Sequence, residues 1–193
     1  MEISLLSDEQ LSDLYSWPQE RSYRLNMLLN FDDSSAGDDG TSNSLTSHED
    51  RRLLKIIRKE ADVLIVGAAS IRAEGWFLPP LGRVAVLSQS GNIPWDTCPD
   101  SSRVSSYPSV SALLHSLRDT EINILCEGGK ATAHLLSETV GFDDLALTRI
   151  GTVEKATLPE FLGNSSDLTL VSTLSDASHS MTFQYWRRAV VHQ

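Results

Sequence analysis

The stretch that decides the fold is ILCEGGKATAHLL, residues 124–136, where an apolar run meets a carboxylate, two glycines and a helical pattern. Residues Ile122 to Cys126 predict a buried strand, and Lys130 to Val140 predict a helix that Gly141 ends. A helix that begins just beyond a strand offers free backbone N–H groups and the positive end of its dipole. The joint therefore suits an anion, although glycine pairs also serve simply to turn a chain tightly.

A second joint of the same kind lies upstream. The sequence predicts an apolar strand over residues 62–66, a glycine at position 67 and a helix over Ala68 to Glu74. In open sheets with parallel strands, ligands bind at the carboxyl ends of the strands, so both joints are expected on one rim. The chain has neither a Walker phosphate loop nor a Gly-x-Gly-x-x-Gly motif.

Outward from these joints, predicted strands and helices alternate. This order predicts an α/β fold with three layers (α/β/α) and a mixed, largely parallel central sheet. Further strands are predicted over 23–31, 83–88 and 103–107, and further helices over 7–15 and 110–117. Ser7 and Gln10 predict a capping box for the first helix, and Thr46 with Glu49 predicts another for a helix that carries Leu53 and Ile57 on one face.

The alternation stops near the carboxyl terminus, where strands are predicted over 145–150, 168–174 and 181–191 without helices between them. Antiparallel strands at one edge of the sheet are therefore expected. In the last strand, Met181, Phe183 and Tyr185 alternate with Thr182 and Gln184, which predicts a strand that is buried on one side only.

Composition narrows the classes of function. The 193 residues suggest one domain, 1–193, and 40% apolar with 22% charged residues indicate a folded protein. The formal net charge of −10 argues against nucleic acid and anionic membranes as partners. With no long apolar window and no basic-then-apolar leader, a cytoplasmic location is the expectation. Cys98 and Cys126 are expected to be reduced and structural, and no histidine cluster indicates a metal.

The segment of residues 32–47, DDSSAGDDGTSNSLTS, is too polar to pack and rich in turn-forming residues. It predicts a long loop. Long loops in compact domains are either disordered or functional, and the sequence leaves both interpretations open.

Taken together, Asn26-Met27, the acidic turn at Asp32, ADVLIVGAASIRAEGW at 61–76 and ILCEGGKATAHLL resemble the reductase domain of the bifunctional deaminase/reductase of riboflavin synthesis. The resemblance covers residues 21–150. It implies a fold like that of dihydrofolate reductase, an NADPH cofactor, and hydride transfer to a phosphoribosylamino-pyrimidine or related heterocycle. It also implies a homodimer.

The resemblance assigns candidate roles to individual positions. Asp32 is the candidate catalytic residue, and Asn26, Asp32 and Ser47 are the candidate substrate-binding residues. The candidate cofactor-binding residues are Gly67, Ala68, Ala69, Ser70, Arg72, Glu127, Gly128, Gly129 and Lys130. For Asp32, delivery of a proton and capping of its own turn remain alternatives.

Three positions depart from the family pattern. The glycine of its Ser-x-Asp-Gly turn is Asp33 here, which matters only if the backbone needs a positive φ, and aspartate tolerates that better than most residues. Ala69 replaces an inner glycine, and Thr148-Arg149-Ile150-Gly151 replaces an apolar-Ala-Pro segment. These departures lie on the predicted ligand-facing rim. They leave open an alternative in which the chain is a catalytically inactive nucleotide-binding homologue.

Overall fold

A computed structural model describes residues 1–30, 32–35, 41–42, 44–151, 156–163, 167–176 and 181–189. Five α-helices and eight strands are present in this part of the chain. The helices are α1 (Asp8–Leu14), α2 (His48–Arg58), α3 (Ala68–Glu74), α4 (Val110–His115) and α5 (Lys130–Thr139). The strands are β1 (Ser22–Leu29), β2 (Val63–Gly67), β3 (Arg83–Leu87), β4 (Val104–Tyr107), β5 (Asn123–Cys126), β6 (Asp144–Ile150), β7 (Leu168–Asp176) and β8 (Met181–Arg188).

The strands form one sheet in the order β4-β3-β2-β5-β1-β6-β8-β7. The six strands from β4 to β6 are parallel, β8 is antiparallel to β6, and β7 is antiparallel to β8. Helices α1, α2 and α3 pack on one face and α4 and α5 on the other, with an apolar cluster under each group. The predicted three-layer α/β/α architecture with antiparallel strands at one edge is confirmed.

The last strand was predicted wrongly in one respect. The first six residues of β8 are all buried, including Thr182 and Gln184, so the strand is not one-sided. The reason is its position, because β8 lies between β6 and β7 and has packed groups on both faces. The strand at this antiparallel edge of the sheet is β7. The predicted last strand ends at residue 191 and the predicted first strand at Phe31. Residues 31, 190 and 191 lie outside the described residues.

Serine residues cap three of the helices. The predicted Ser7–Gln10 capping box is present in α1. For α2 the prediction is off by one residue, since Ser47 rather than Thr46 is the cap and its hydroxyl accepts a hydrogen bond from the Asp50 amide at 3.1 Å. The Thr46 hydroxyl instead donates to the Asp50 carboxylate at 2.7 Å. In α4, Ser109 accepts from the Ala112 amide.

The amino-terminal edge of the parallel strands is closed by ion pairs. The fully buried Arg24 and Asp144 are joined at 2.7 Å, and Arg187 contacts the same carboxylate at 2.8 Å. Arg24 also donates to the Tyr15 carbonyl oxygen, which fastens the end of α1 to the sheet. In the described part of the chain, no helix has the length and hydrophobicity needed to cross a bilayer.

Candidate active site

We call the edge of the sheet where the parallel strands end the carboxyl rim. Here the ends of β2 and β5 are in direct contact, because the Glu127 amide donates to the Ile65 carbonyl at 3.0 Å. β2 runs into α3 at Gly67, and β5 runs through Glu127 and Gly128 to Gly129, where α5 begins. The two joints predicted from the sequence are therefore neighbours.

These two helices begin differently from the three that serines cap. Neither Gly67 nor Gly129 provides a side chain, and no side-chain cap bond is found at either start in the described part of the chain. The first-turn amides of an α-helix have no intrahelical partner. Two adjacent helix starts on the carboxyl rim thus retain N–H groups that can hydrogen-bond to an anion.

The glycines at the joints do not all serve the same purpose. A Cβ atom added to Gly128 would lie 2.5 Å from Cβ of Thr132, and one added to Gly67 would lie 2.8 Å from Oγ1 of Thr132. Both glycines are thus required by the buried Thr132 side chain of α5. At Gly129 the nearest atom is Oγ of Ser70 at 3.8 Å, so internal packing does not require this glycine. Gly129 is the position where the absence of a side chain leaves room for a ligand.

Cys126 is a packing residue. It is buried and free, and burial raises the pKa of its thiol to about 12, against the opposing effect of a hydrogen bond from the Gly128 amide. The thiol therefore stays protonated and unreactive at neutral pH.

The side chain of Glu127 contacts α2 and not the start of α5, the helix that follows it in the chain. Its carboxylate accepts hydrogen bonds from Arg58 of α2, at 2.9 Å from Nε to both oxygens and at 2.6 Å from the terminal nitrogen to Oε2. Burial raises the pKa of Glu127, the Arg58 charge opposes this, and the negative charges of Asp50 and Glu74 raise it further. The Arg58 guanidinium stacks on Phe77, 3.5 Å from the ring centroid.

Two recesses adjoin α3. A cavity of about 50 Å³ lies next to the Arg58–Glu127 pair and is also lined by Ser70, Glu74 and Phe77. Its size fits a water molecule or one substituent of a ligand. An open groove of about 660 Å³ on the outer side of α3 is lined by Arg72, Trp76, Pro94, Thr97 and Pro99, among others. Its volume lies within the range typical of small-molecule sites.

The remaining predicted cofactor-binding residues are spread over these features. Ala68 is buried, Ala69 is exposed at the start of α3, and Ser70 lines the small cavity. Arg72 lines the open groove and donates to the Asn92 carbonyl at 2.6 Å. Lys130 is the first residue of α5, and its ammonium lies 5.6 Å from the Phe161 ring centroid.

The three predicted substrate-binding residues lie on different elements. Asn26 is half-buried in β1 opposite Ala146, and its side-chain amide has no hydrogen bond in the described part of the chain. Ser47 is buried as the cap of α2. Asp32 is exposed in the turn after β1, and its carboxylate accepts from the Ser34 amide at 2.9 Å. That hydrogen bond holds the pKa of Asp32 below its ordinary value.

Asp33 and Arg149 each stood out in the sequence as a departure from the family pattern, but nothing in the sequence indicated that they are in contact. Asp33 has φ +60°, so the condition under which loss of the family's glycine matters is met at this position. Its carboxylate lies 2.5 Å from the Arg149 guanidinium at the end of β6. Within the described residues, no cluster of three or more metal-ligating side chains occurs.

No family model matches the chain, and no curated protein sequence matches it. Its fold is similar to that of a pyrimidine reductase-like protein from Corynebacterium diphtheriae, with 18% identity, a TM-score of 0.67, and coverage of 96% of this chain and 100% of that one. Dihydrofolate reductase from Enterococcus faecalis, solved with NADP(H), gives 18% identity and a TM-score of 0.64 over 86% of this chain and 96% of that one.

A third similar structure is the diaminohydroxyphosphoribosylaminopyrimidine deaminase/5-amino-6-(5-phosphoribosylamino)uracil reductase of Thermotoga maritima. It has 17% identity, a TM-score of 0.59 and coverage of 89% of this chain, which spans only 57% of that protein. At these identities the likeness shows the fold alone. The fold is thus like that of dihydrofolate reductase, and the predicted fold class is confirmed.

Proposed function

We propose that the protein is an NADPH-dependent reductase that transfers a hydride to a phosphoribosylamino-pyrimidine or a related nitrogen heterocycle. The observation that carries this proposal is the pair of helix starts on the carboxyl rim, at Gly67 and Gly129, whose amides no side chain caps. Support also comes from the fold, which is shared with reductases, one of them solved with NADP(H).

The residues at the two helix starts fit a dinucleotide. The first-turn amides of α5 and the Lys130 ammonium would hold one phosphate of the diphosphate, and Gly129 lets that phosphate approach the backbone. The α3 start and the Ser70 hydroxyl would contact the adjoining part of the cofactor. When bound, NADPH would supply the hydride, so the protein has to orient both ligands and exclude water.

The heterocycle is assigned to the side of the rim that carries Asn26 and the Arg58–Glu127 pair. The side-chain amide of Asn26, which has no hydrogen bond within the described residues, can donate and accept, as recognition of a pyrimidine edge requires. Glu127 has a raised pKa and adjoins the small cavity, whereas Asp32 has a lowered pKa. Of these two carboxyls, Glu127 keeps its proton to the higher pH and is therefore the better candidate to deliver one.

Titration of the purified protein with NADPH, followed by nucleotide fluorescence, tests the proposal. We expect a dissociation constant on the order of micromolar. Absence of measurable affinity for both NADPH and NADH would contradict it.

A second candidate function is a nucleotide-binding homologue without turnover. Asp32 favours it, because the carboxylate is engaged in its own turn and its lowered pKa keeps it ionised. Absorbance of NADPH in the presence of a panel of ribosylamino-pyrimidines separates the two functions. Binding without oxidation of NADPH supports the second, and oxidation supports the first.

A further inference from the structure

The two departures Asp33 and Arg149 form one pair in space. They are 116 residues apart in the chain, and they meet because β1 and β6 are neighbouring parallel strands with Leu29 beside Arg149. The side chain of Arg149 is only 9% exposed, whereas that of Asp33 is 34% exposed. Asp33 therefore lies between a buried guanidinium and solvent.

Arg149 has donor capacity that the protein does not use. One terminal nitrogen bonds Asp33 and the other donates to the Thr157 carbonyl at 3.1 Å. Its Nε is buried and has no hydrogen-bond partner among the described residues. A buried charged donor without a partner is costly, and such a group indicates either strain or an absent ligand.

The turn that carries Asp33 is also under the influence of a second cation. The charge of Lys130 contributes to the lowered pKa of the neighbouring Asp32. Cations from two different elements therefore act on these two consecutive carboxylates, Arg149 of β6 by direct contact and Lys130 of α5 through its charge. Lys130 is also the first residue of α5, the helix whose start is assigned to the diphosphate.

Asp33 also occupies a backbone position that disfavours it. At a φ near +60°, glycine is favoured over any residue with a side chain, although aspartate tolerates this conformation better than most. The ion pair with Arg149 offsets that disadvantage.

We propose that Arg149 is a further phosphate-binding residue of this rim and that Asp33 is a built-in anion that occupies it until a nucleotide binds. This inference rests on the proposed function for the identity of the nucleotide. A phosphate-bearing ligand has to displace the Asp33 carboxylate, so the affinity measured for the intact protein is reduced by the fraction of molecules in which Arg149 is covered.

The test uses Asp33→Asn, which removes the charge while keeping a residue that tolerates a positive φ. Affinities for inorganic pyrophosphate and for NADPH are measured by calorimetry at one fixed ionic strength, because screening changes such contacts. We expect both ligands to bind about tenfold more tightly to Asp33→Asn than to the unmodified protein. Asp33→Gly, which also removes the backbone strain, should show the same gain.

The matched control is Asp33→Asn combined with Arg149→Gln, in which the gain should disappear. Thermal unfolding of each variant confirms that it is folded before titration. Unchanged or weaker binding by both folded Asp33 variants would overturn the inference and make the pair a purely structural contact. Should the protein lack NADPH affinity while Asp33→Asn still tightens pyrophosphate binding, the inference stands and the proposed function fails.

Discussion

Two glutamates at opposite ends of β5 are each held by an arginine, but their pKa values are shifted in opposite directions. Glu121 precedes the strand and is held by Arg83 at 2.7 and 3.0 Å, and Glu127 follows it and is held by Arg58. Although burial raises the pKa of Glu121, the hydrogen bond from Arg83, the Arg118 amide and the two arginine charges hold it below its ordinary value. Burial and two further acids instead raise the pKa of Glu127.

The difference shows how the two edges of the sheet are used. At the amino-terminal edge, the charges of Glu121 and Asp144 are each balanced by arginines at hydrogen-bond distance. At the carboxyl rim, a buried carboxylate shares one arginine with neighbouring acids, and two helix starts lack caps. Perturbed acids and unsatisfied donors cluster at functional sites. The amino-terminal edge stabilises the fold, and the carboxyl rim carries the features on which the proposed ligand site rests.

The largest expected effect is on the free energy of unfolding, when alanine replaces one glycine at each of the two edges of the sheet. In Gly82→Ala, before β3, the new Cβ would lie 2.2 Å from the Ala61 carbonyl oxygen, and we expect a loss of about 3 kcal/mol in the free energy of unfolding. In Gly129→Ala the nearest atom is at 3.8 Å, so stability should change by less than about 0.5 kcal/mol.

NADPH binding should respond in the opposite order. The methyl group in Gly129→Ala should weaken NADPH binding at least about tenfold, by blocking the approach of a phosphate. Urea unfolding and NADPH titration of both variants provide the measurement. If Gly129→Ala binds NADPH as well as the unmodified protein, the rim at α5 is not a phosphate site.

A smaller effect is expected from neutralising each glutamate. Glu121→Gln loses a charged acceptor for Arg83, and the free energy of unfolding should fall by about 2 kcal/mol at neutral pH. Glu127→Gln also relieves repulsion from Asp50 and Glu74, so its cost should stay below about 1 kcal/mol. Equal losses in urea unfolding would contradict the proposed difference between the edges.

The smallest effect is in the pH dependence of those same stabilities. The lowered pKa of Glu121 provides stability that is present above its unfolded value and is lost as pH falls through the folded value. The raised pKa of Glu127 has the opposite sign, since its contribution is lost as pH rises through the folded value. With acidification, the deficit of Glu121→Gln should therefore shrink, while the cost of Glu127→Gln should grow, because only the unmodified protein gains stability when Glu127 is protonated. Unfolding curves from about pH 3 to about pH 7 check both slopes.

Local signals in the sequence predicted most of the architecture. The strand, glycine and helix at 62–74 and the capping box at Ser7 depend on neighbouring residues only, and the structure has them as predicted. The cap of α2 was misplaced because Thr46 and Ser47 are each followed three residues later by an acid, so both fit a capping pattern. The alternation of apolar and polar residues in β8 led to the wrong prediction that the strand is buried on one side only. Burial on its second face depends on where the strand lies in the sheet, which no local pattern shows.

The electrostatics of the site could not be read from the sequence. Arg58 and Glu127 are 69 residues apart, and nothing local indicates that a residue of α2 will hold the carboxylate of the glycine turn. The same holds for Asp33 and Arg149, each of which stood out only as a departure. The roles of Gly67 and Gly128 likewise depend on Thr132, which no motif distinguishes.

The position of β8 has a consequence for how the chain assembles. Among the eight strands of the described sheet, β7 pairs with β8 alone, besides one isolated bridge from Ser175 to Glu2, so the strand made earlier joins the sheet through the one made later. Antiparallel strands adjacent in sequence close quickly, whereas parallel pairs between distant segments close slowly. We therefore expect β7 and β8 to form an antiparallel pair that docks on β6 as a unit, late in folding.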